Sequence, residues 1–144
     1  MNALDAVWAG LLADSYRRLV GEPLVPAGAD AAAWLYDAPF GLLAHDTSPD
    51  PVFVYANRTA QKVFGYCWDE FVGLPSRLSA DEEDRASRRM FLDSVRADGY
   101  ATGYRGRRVA KDGHRFWIED VTLWTLRDAD GAPAGQAALI PRVS

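Results

Sequence analysis

Two histidines and one cysteine are the nitrogen and thiolate ligands available in this 144-residue chain, and their spacing argues against a metal centre. His45, Cys67 and His114 fall in no HExxH, CxxC or two-histidine-one-carboxylate pattern. The sequence places His45 at a strand end and His114 at a hairpin turn, where both read as ordinary polar residues. An axial haem ligand would have to be His45 or Met90, and the many Trp and Phe would crowd a macrocycle. Nucleophilic catalysis finds no GxSxG and no recognisable order of Ser, His and Asp. Asp120 or Glu119 with His45 is the one acid–base pair that a sheet could bring together. No glycine run forms a phosphate loop. No catalytic residue, metal or cofactor is therefore assigned.

The cations and rings are more informative. Arg105, Arg107 and Lys111 alternate along one strand face, with Arg108 and Arg115 nearby. They form either a patch for an acidic partner or a solvated face. Arg77, in Pro75-Ser76-Arg77, either anchors a loop on backbone carbonyls or points into a pocket at a carboxylate. Trp117 and Trp124 stand at odd separation on one strand, so they face opposite sides unless a bulge intervenes. If Trp117 is on the outer face, it is placed to cover an N-terminal helix.

The elements that must position these groups follow from periodicity. Leu4, Val7, Trp8, Leu11, Leu12, Tyr16 and Leu19 recur at three- and four-residue steps, which predicts a helix over 4–20. The segment EPLVPAGA (22–29) reads as a linker, and Asp30 as the cap of a short helix through Tyr36. Phe40–Ala44 and Val52–Tyr55 read as strands around the turn-rich HDTSPDP. Short helices follow near Asn57, a good cap, and near Trp68. Ser79-Ala80-Asp81-Glu82 has capping-box spacing and opens a helix to about Ala97, with Phe91, Leu92 and Val95 inward. Three strands close the chain, 100–110, 114–126 and 134–140, joined by the Asp112-Gly113 hairpin and RDADGAP. The order implies an α+β layout, an antiparallel five-stranded sheet with helices on one face.

Bulk properties narrow the function. The net charge of −4 and pI near 5.1 oppose general nucleic-acid binding, which needs a basic surface. A single cysteine excludes an intrachain disulfide. No apolar run approaches the ~20 residues of a membrane helix, and the N-terminus does not read as a signal peptide. A cytoplasmic protein is expected.

The element order resembles the PAS fold. NRTAQKVFGYCWDEFVG (57–73) is similar to the PAS segment in which an Asn opens a helix and FGY ends it. KDGHRFWIEDVTLWTLRDADGAPAG (111–135) is similar to the closing PAS hairpin. More narrowly, LYDAPFGLLAHDTSPDPVFVYANRTA, FVGLPSRLSA, GYRGRRVAKDGHRFWIEDVTLW and GQAA resemble the MEKHLA domain, a PAS-related domain. DSYRRLVGEPL resembles the start of its bacterial versions. The sequence lacks a homeodomain, sustained heptads and a basic region, so the transcriptional role of the plant MEKHLA proteins does not carry over. Light-sensing PAS domains carry a flavin-reactive Cys in an NCRFLQ-like helix; here Cys67 stands in YCWDEF, and no flavin is expected.

The resemblance implies an N-terminal helical extension and linker over 1–35 and a PAS-like domain over 36–144. It implies a regulatory domain binding a small molecule or a partner protein. The rivals are a pure interaction module with a filled core and a small enzyme using the cavity. The implied pocket lies between sheet and short helices, lined by Tyr55, Asn57, Trp68, Phe71, Arg77, Phe91, Trp124 and Gln136. The N-terminal helix, marginal alone in water, must pack on something. PAS-like domains use such a helix at dimer interfaces, so Trp8, Leu11, Leu12 and Tyr16 are expected to join two copies; folding back on its own sheet is the other outcome.

Overall fold

The structure is a computed structural model that describes residues 6–81 and 85–144, with side chains from 6–81 and 89–144. Its sheet runs β2-β1-β5-β4-β3, all neighbours antiparallel. The strands are β1 (Gly41–His45), β2 (Phe53–Ala56), β3 (Tyr100–Val109), β4 (Arg115–Arg127) and β5 (Pro133–Ile140). A two-residue β6 (Arg142–Val143) continues past Pro141 to pair with β4. The expected five-stranded sheet is present, with this short addition. The helices α3 (Arg58–Phe64), α4 (Trp68–Phe71) and α5 (Arg85–Asp98), with a 3-10 turn at Ser76–Ser79, cover one face. The other face carries α1 (Ala6–Val20) and α2 (Ala31–Tyr36).

Asn57 ties these layers together. It is fully buried, and its carboxamide oxygen accepts from Ala60 N at 3.0 Å, capping α3, and from Leu42 N at 3.0 Å on β1. Its amide donates to Leu35 O and Phe40 O at 3.0 and 2.8 Å. One side chain thus satisfies four backbone groups from α2, α3, β1 and the residue that leads into β1. The cap expected from the sequence is a structural joint rather than a pocket wall.

The inner face is filled by rings meeting edge to face. Phe71 lies 4.9 Å from Phe53 and 5.4 Å from Phe64, and Phe64 lies 5.1 Å from Phe116. From α5, Val95 is buried and Phe91 packs 4.8 Å from Tyr104. The inward face of α5 matches expectation. Its capping box does not: Ser79 donates back to Ser76 O within the 3-10 turn, and Glu82 lies outside the described residues.

On the outer face, α1 folds back on the chain's own sheet. Leu12 is fully buried, and Tyr16 meets Trp124 at 5.0 Å. Ser15 Oγ accepts from the Arg127 amide at 3.3 Å. Leu12 and Tyr16, expected between two chains, are thus engaged within one, because the sheet offers an apolar face of matching length. Trp117 and Trp124 both face outward despite their odd separation. Asp120 takes φ +57°, and a three-residue step along β4 (Ile118 to Val121) matches a two-residue step along β3 (Gly106 to Tyr104). That bulge inverts the parity. Trp124, not Trp117, lies beneath α1; Trp117 sits under the Arg105 guanidinium at 3.8 Å.

Candidate functional site

The sheet's inner face is open to solvent where β1 ends beside β5. His45 and Gln136 are register partners there. Nε2 of His45 lies 3.2 Å from the Gln136 side-chain oxygen, and Nδ1 lies 3.0 Å from Asp46 O. A carbonyl only accepts, so Nδ1 carries the proton; Gln136 can turn its amide to suit either state of Nε2. Gly135 makes this approach possible. Its φ is +147°, and a Cβ there would stand 2.1 Å from the His45 carbonyl oxygen, so only glycine lets β5 run this close.

Inward of the pair, Leu43, Phe53, Tyr104, Arg108 and Leu123 wall a space of about 30 Å³. Arg108 is 9% exposed; it pairs in register with Phe116, which turns its side chain inward, and its Nη1 lies 3.5 Å from Ser79 Oγ. The Tyr104 ring lies along the strand over Gly106, where a Cβ would meet its hydroxyl at 2.2 Å. Outward, past Ser76 and Leu92, the space widens into a groove of about 620 Å³ between α5 and the ends of β1, β4 and β5. That volume is in the range of small-molecule sites, whereas the inner space holds one or two waters.

The groove's rim is well built. Asp46 Oδ1 accepts from Ser48 N, Ser48 Oγ and Val52 N at 3.2, 2.6 and 3.1 Å, which folds HDTSPDP into a closed turn. Burial pushes the Asp46 carboxyl up, but the Ser48 hydroxyl and the two amides outweigh it and hold the group below its usual range. Arg77 is 63% exposed and bonds Asp50 at 3.2 Å. It meets a carboxylate at the groove, so the buried-anchor expectation is corrected. Arg96 from α5 and Arg127 from β4 complete the edge.

Of the eight residues expected in a pocket, Gln136 and Arg77 border this cleft. Phe71 and Phe91 belong to the filled inner core, and Asn57 to the joint described above. Tyr55, Trp68 and Trp124 belong to the outer cluster, with Tyr55 edge-on to Trp68 at 5.7 Å. Tyr55 faces outward with its register partner Ala44, and the shift between Ala44 and His45 turns Phe53, two residues earlier, to the inner face. Sequence reasoning missed His45 as a cleft residue, together with Ser76, Arg96, Arg108 and Arg127. The parity of Arg108 with inward Phe116 was the one usable signal.

The cations of the basic strand face are paired from within. Arg105 pairs with Glu119 at 3.0 Å, Arg107 and Arg115 share buried Asp81 at 3.4 and 3.6 Å, and Lys111 bonds Glu70. The Lys111 ammonium, the Cys67 amide and the Cys67 side chain hold the Glu70 carboxyl down at about 2. Among the described residues no cluster of His, Cys, Asp or Glu could hold a metal ion, and no helix is long and apolar enough to cross a membrane.

This sheet order, with helices gathered between β2 and β3, recurs in known proteins. A family model of the MEKHLA domain matches residues 6–144, α1 included. The chain belongs to the MEKHLA domain family. No curated protein matches it. Solved structures share the fold of this MEKHLA domain. One is a PAS domain from Colwellia psychrerythraea, 19% identical, covering 75% of this chain and 89% of that one, with TM-score 0.64. Another is a Light-Oxygen-Voltage domain studied with a flavin analogue, 22% identical, covering 78% and 83%, TM-score 0.62. A third is the corresponding domain of a blue-light activated histidine kinase of Erythrobacter litoralis, 22% identical, covering 71% and 94%, TM-score 0.59. A flavin, the group whose analogue was used with the second of these structures, does not fit the inner space of this MEKHLA domain. Its inner space is about 30 Å³, an order of magnitude below the ~300 Å³ at which ligand pockets begin. Its single thiol, Cys67, is exposed beside Glu70 and Lys111 rather than in that space. The fold is that of a PAS domain.

Proposed function

We propose that this MEKHLA domain is a regulatory sensor that takes a small molecule in the cleft between α5 and β1/β5 and transmits occupancy to α1. The observation that carries this reading is that cleft and helix stand back to back on the same strands. His45 and Gln136 face the cleft, while their chain neighbours Ala44 and Ala137 are buried in the cluster that holds Leu12 and Ala9 of α1. A pleated strand moved by a ligand on one face moves the side chains on the other. Residues 36–144 are on this reading the sensing unit, and 1–35 the extension that reports it.

The test is a thermal-shift screen of the full chain against small metabolites, followed by hydrogen exchange. Ligands that raise Tm and lose that effect in Gln136→Leu should alter exchange across Ala9–Tyr16. Cleft ligands that leave α1 exchange unchanged would overturn the transmission step; a screen without cleft ligands would overturn the sensor reading.

A second reading, an interaction and dimerisation module, draws support from the filled inner core and from the outer side of α1. Val7 is 71% exposed there, with Leu11 half-buried beside it. On this reading Trp8, Leu11 and Val7 meet a second copy, while Leu12 and Tyr16 stay on the sheet. Sedimentation velocity of the full chain and of Val7→Glu separates the readings: the module predicts a dimer that the substitution dissociates.

A further inference from the structure

We infer that the cleft's ligand is a small organic polyanion, with carboxylate or phosphate groups gripped from both walls. This rests on the sensor reading above and adds the chemical class.

The charge around the cleft runs against the charge of the chain. The whole protein carries −4. The described residues bordering the groove and its inner space include four guanidiniums, Arg77, Arg96, Arg108 and Arg127, against two carboxylates, Asp46 and Asp50. Both carboxylates are engaged. Asp46 accepts three bonds from its own turn, and both oxygens of Asp50 accept from Arg77 Nε at 3.2 and 3.3 Å. The cations left to meet a ligand are therefore Arg127 and Arg96, the latter only loosely held by Asp93 at 3.8 Å. On the other arginine-rich surface, Arg105, Arg107 and Arg115 are each already held by a carboxylate, Glu119 or the shared Asp81. A concave site with one sign of charge in excess focuses potential and draws counter-ions.

Geometry selects a polyanion rather than a single charge. Arg96 stands on the α5 wall and Arg127 at the end of β4, on opposite sides of the groove. Neither is locked in place. Arg96 is 83% exposed and only 3.8 Å from Asp93, and Arg127 holds a single turn carbonyl, Gly131 O at 2.9 Å. Guanidinium forks match carboxylate and phosphate oxygens two at a time. One anionic group on each wall, with the ligand's polar body on Gln136 and Thr125, would draw α5 toward the sheet. Arg127 also supplies the route outward: its backbone amide is the one held by Ser15 of α1.

The test is a backbone-amide NMR titration of the full chain with citrate, inorganic phosphate and uncharged glycerol. Citrate should shift the amides of His45, Arg96, Arg127 and Gln136 saturably, with a smaller response at Ser15. Phosphate should bind the same place more weakly, and rising salt should weaken both. Arg96→Gln with Arg127→Gln should lower citrate affinity by about tenfold or more, near 1.4 kcal/mol. Both side chains are exposed, so the fold survives, and Arg105→Gln should leave affinity unchanged. Non-saturating shifts spread over all basic surfaces, or a double variant that binds like the parent, would overturn the inference. Cleft binding by an uncharged metabolite with none by citrate or phosphate would sink the anion inference alone and leave the sensor reading standing.

Discussion

The two faces of the sheet both bury extensive apolar surface but treat their polar atoms differently. On the inner face the rings of Phe53, Phe64, Phe71 and Phe116 present only carbon to one another. The outer face also buries two donors that lack a partner among the described residues, Trp124 Nε1 and the Tyr55 hydroxyl. Each stranded donor costs on the order of 1–3 kcal/mol against the hydrophobic gain of covering it. The inner layer is therefore firmly docked, while α1 and α2 sit on a face that partly resists being covered. On the sensor reading proposed above, α1 answers to a ligand and needs such a compromise, since a helix docked without cost would not move.

The sharpest way to break this comparison is at the joint both layers share. Asn57→Ala removes four bonds and strands buried groups on α2, α3 and β1 at once. It should cost about 3–5 kcal/mol by chemical denaturation, with both layers lost together. A cost under about 1 kcal/mol, typical of an exposed cap, would mean the layers are held independently.

Much of this architecture was legible because it is local. The Asn57 cap, the Asp112-Gly113 turn and the inward face of α5 each depend on residues a few positions apart. The cleft was not legible, because it depends on strand parity, and parity in this sheet is set by irregularities. The register shift beyond Ala44 puts Phe53 and Tyr55 on opposite faces, and the bulge at Asp120 puts Trp117 and Trp124 on one face. An alternating pattern read without those shifts assigns Tyr55 and Trp124 to the wrong side. Gly135 is a similar case: its need for glycine comes from the carbonyl of His45, far away in the chain.

A smaller effect sharpens the contrast on the outer face alone. Leu12→Ala removes the fully buried side chain through which α1 holds the sheet. The expected cost is about 2–3 kcal/mol, at the low end for a buried leucine, because a helix that can lift relaxes into the gap. Hydrogen exchange should rise through Ala6–Val20 while the amides of β4 and β5 keep their protection. Equal loss of protection in sheet and helix would show that the outer layer is held no more loosely than the inner.

The smallest effect is the most diagnostic, because its sign is unusual. Tyr55→Phe deletes a buried aromatic hydroxyl, a change that normally destabilises by losing a bond. Here the hydroxyl has no partner among the described residues, and the ring keeps its edge-on packing against Trp68 without it. The substitution should therefore be neutral or stabilise by up to about 1 kcal/mol, since a desolvated group is removed and nothing is left unpaired. Alkali gives an independent reading. Burial, then the neighbouring Tyr36 and Asp37, push the Tyr55 phenol above its ordinary value. The folded state thus keeps a proton that the unfolded chain releases, and stability falls as pH rises past about 10, the ordinary phenol value. Tyr55→Phe should lessen that alkaline fall, measured as Tm against pH. A variant less stable than the parent by more than about 1 kcal/mol at neutral pH would mean that the hydroxyl is satisfied by buried water. One of the two strains on the outer face would then vanish, leaving Trp124 alone to loosen α1.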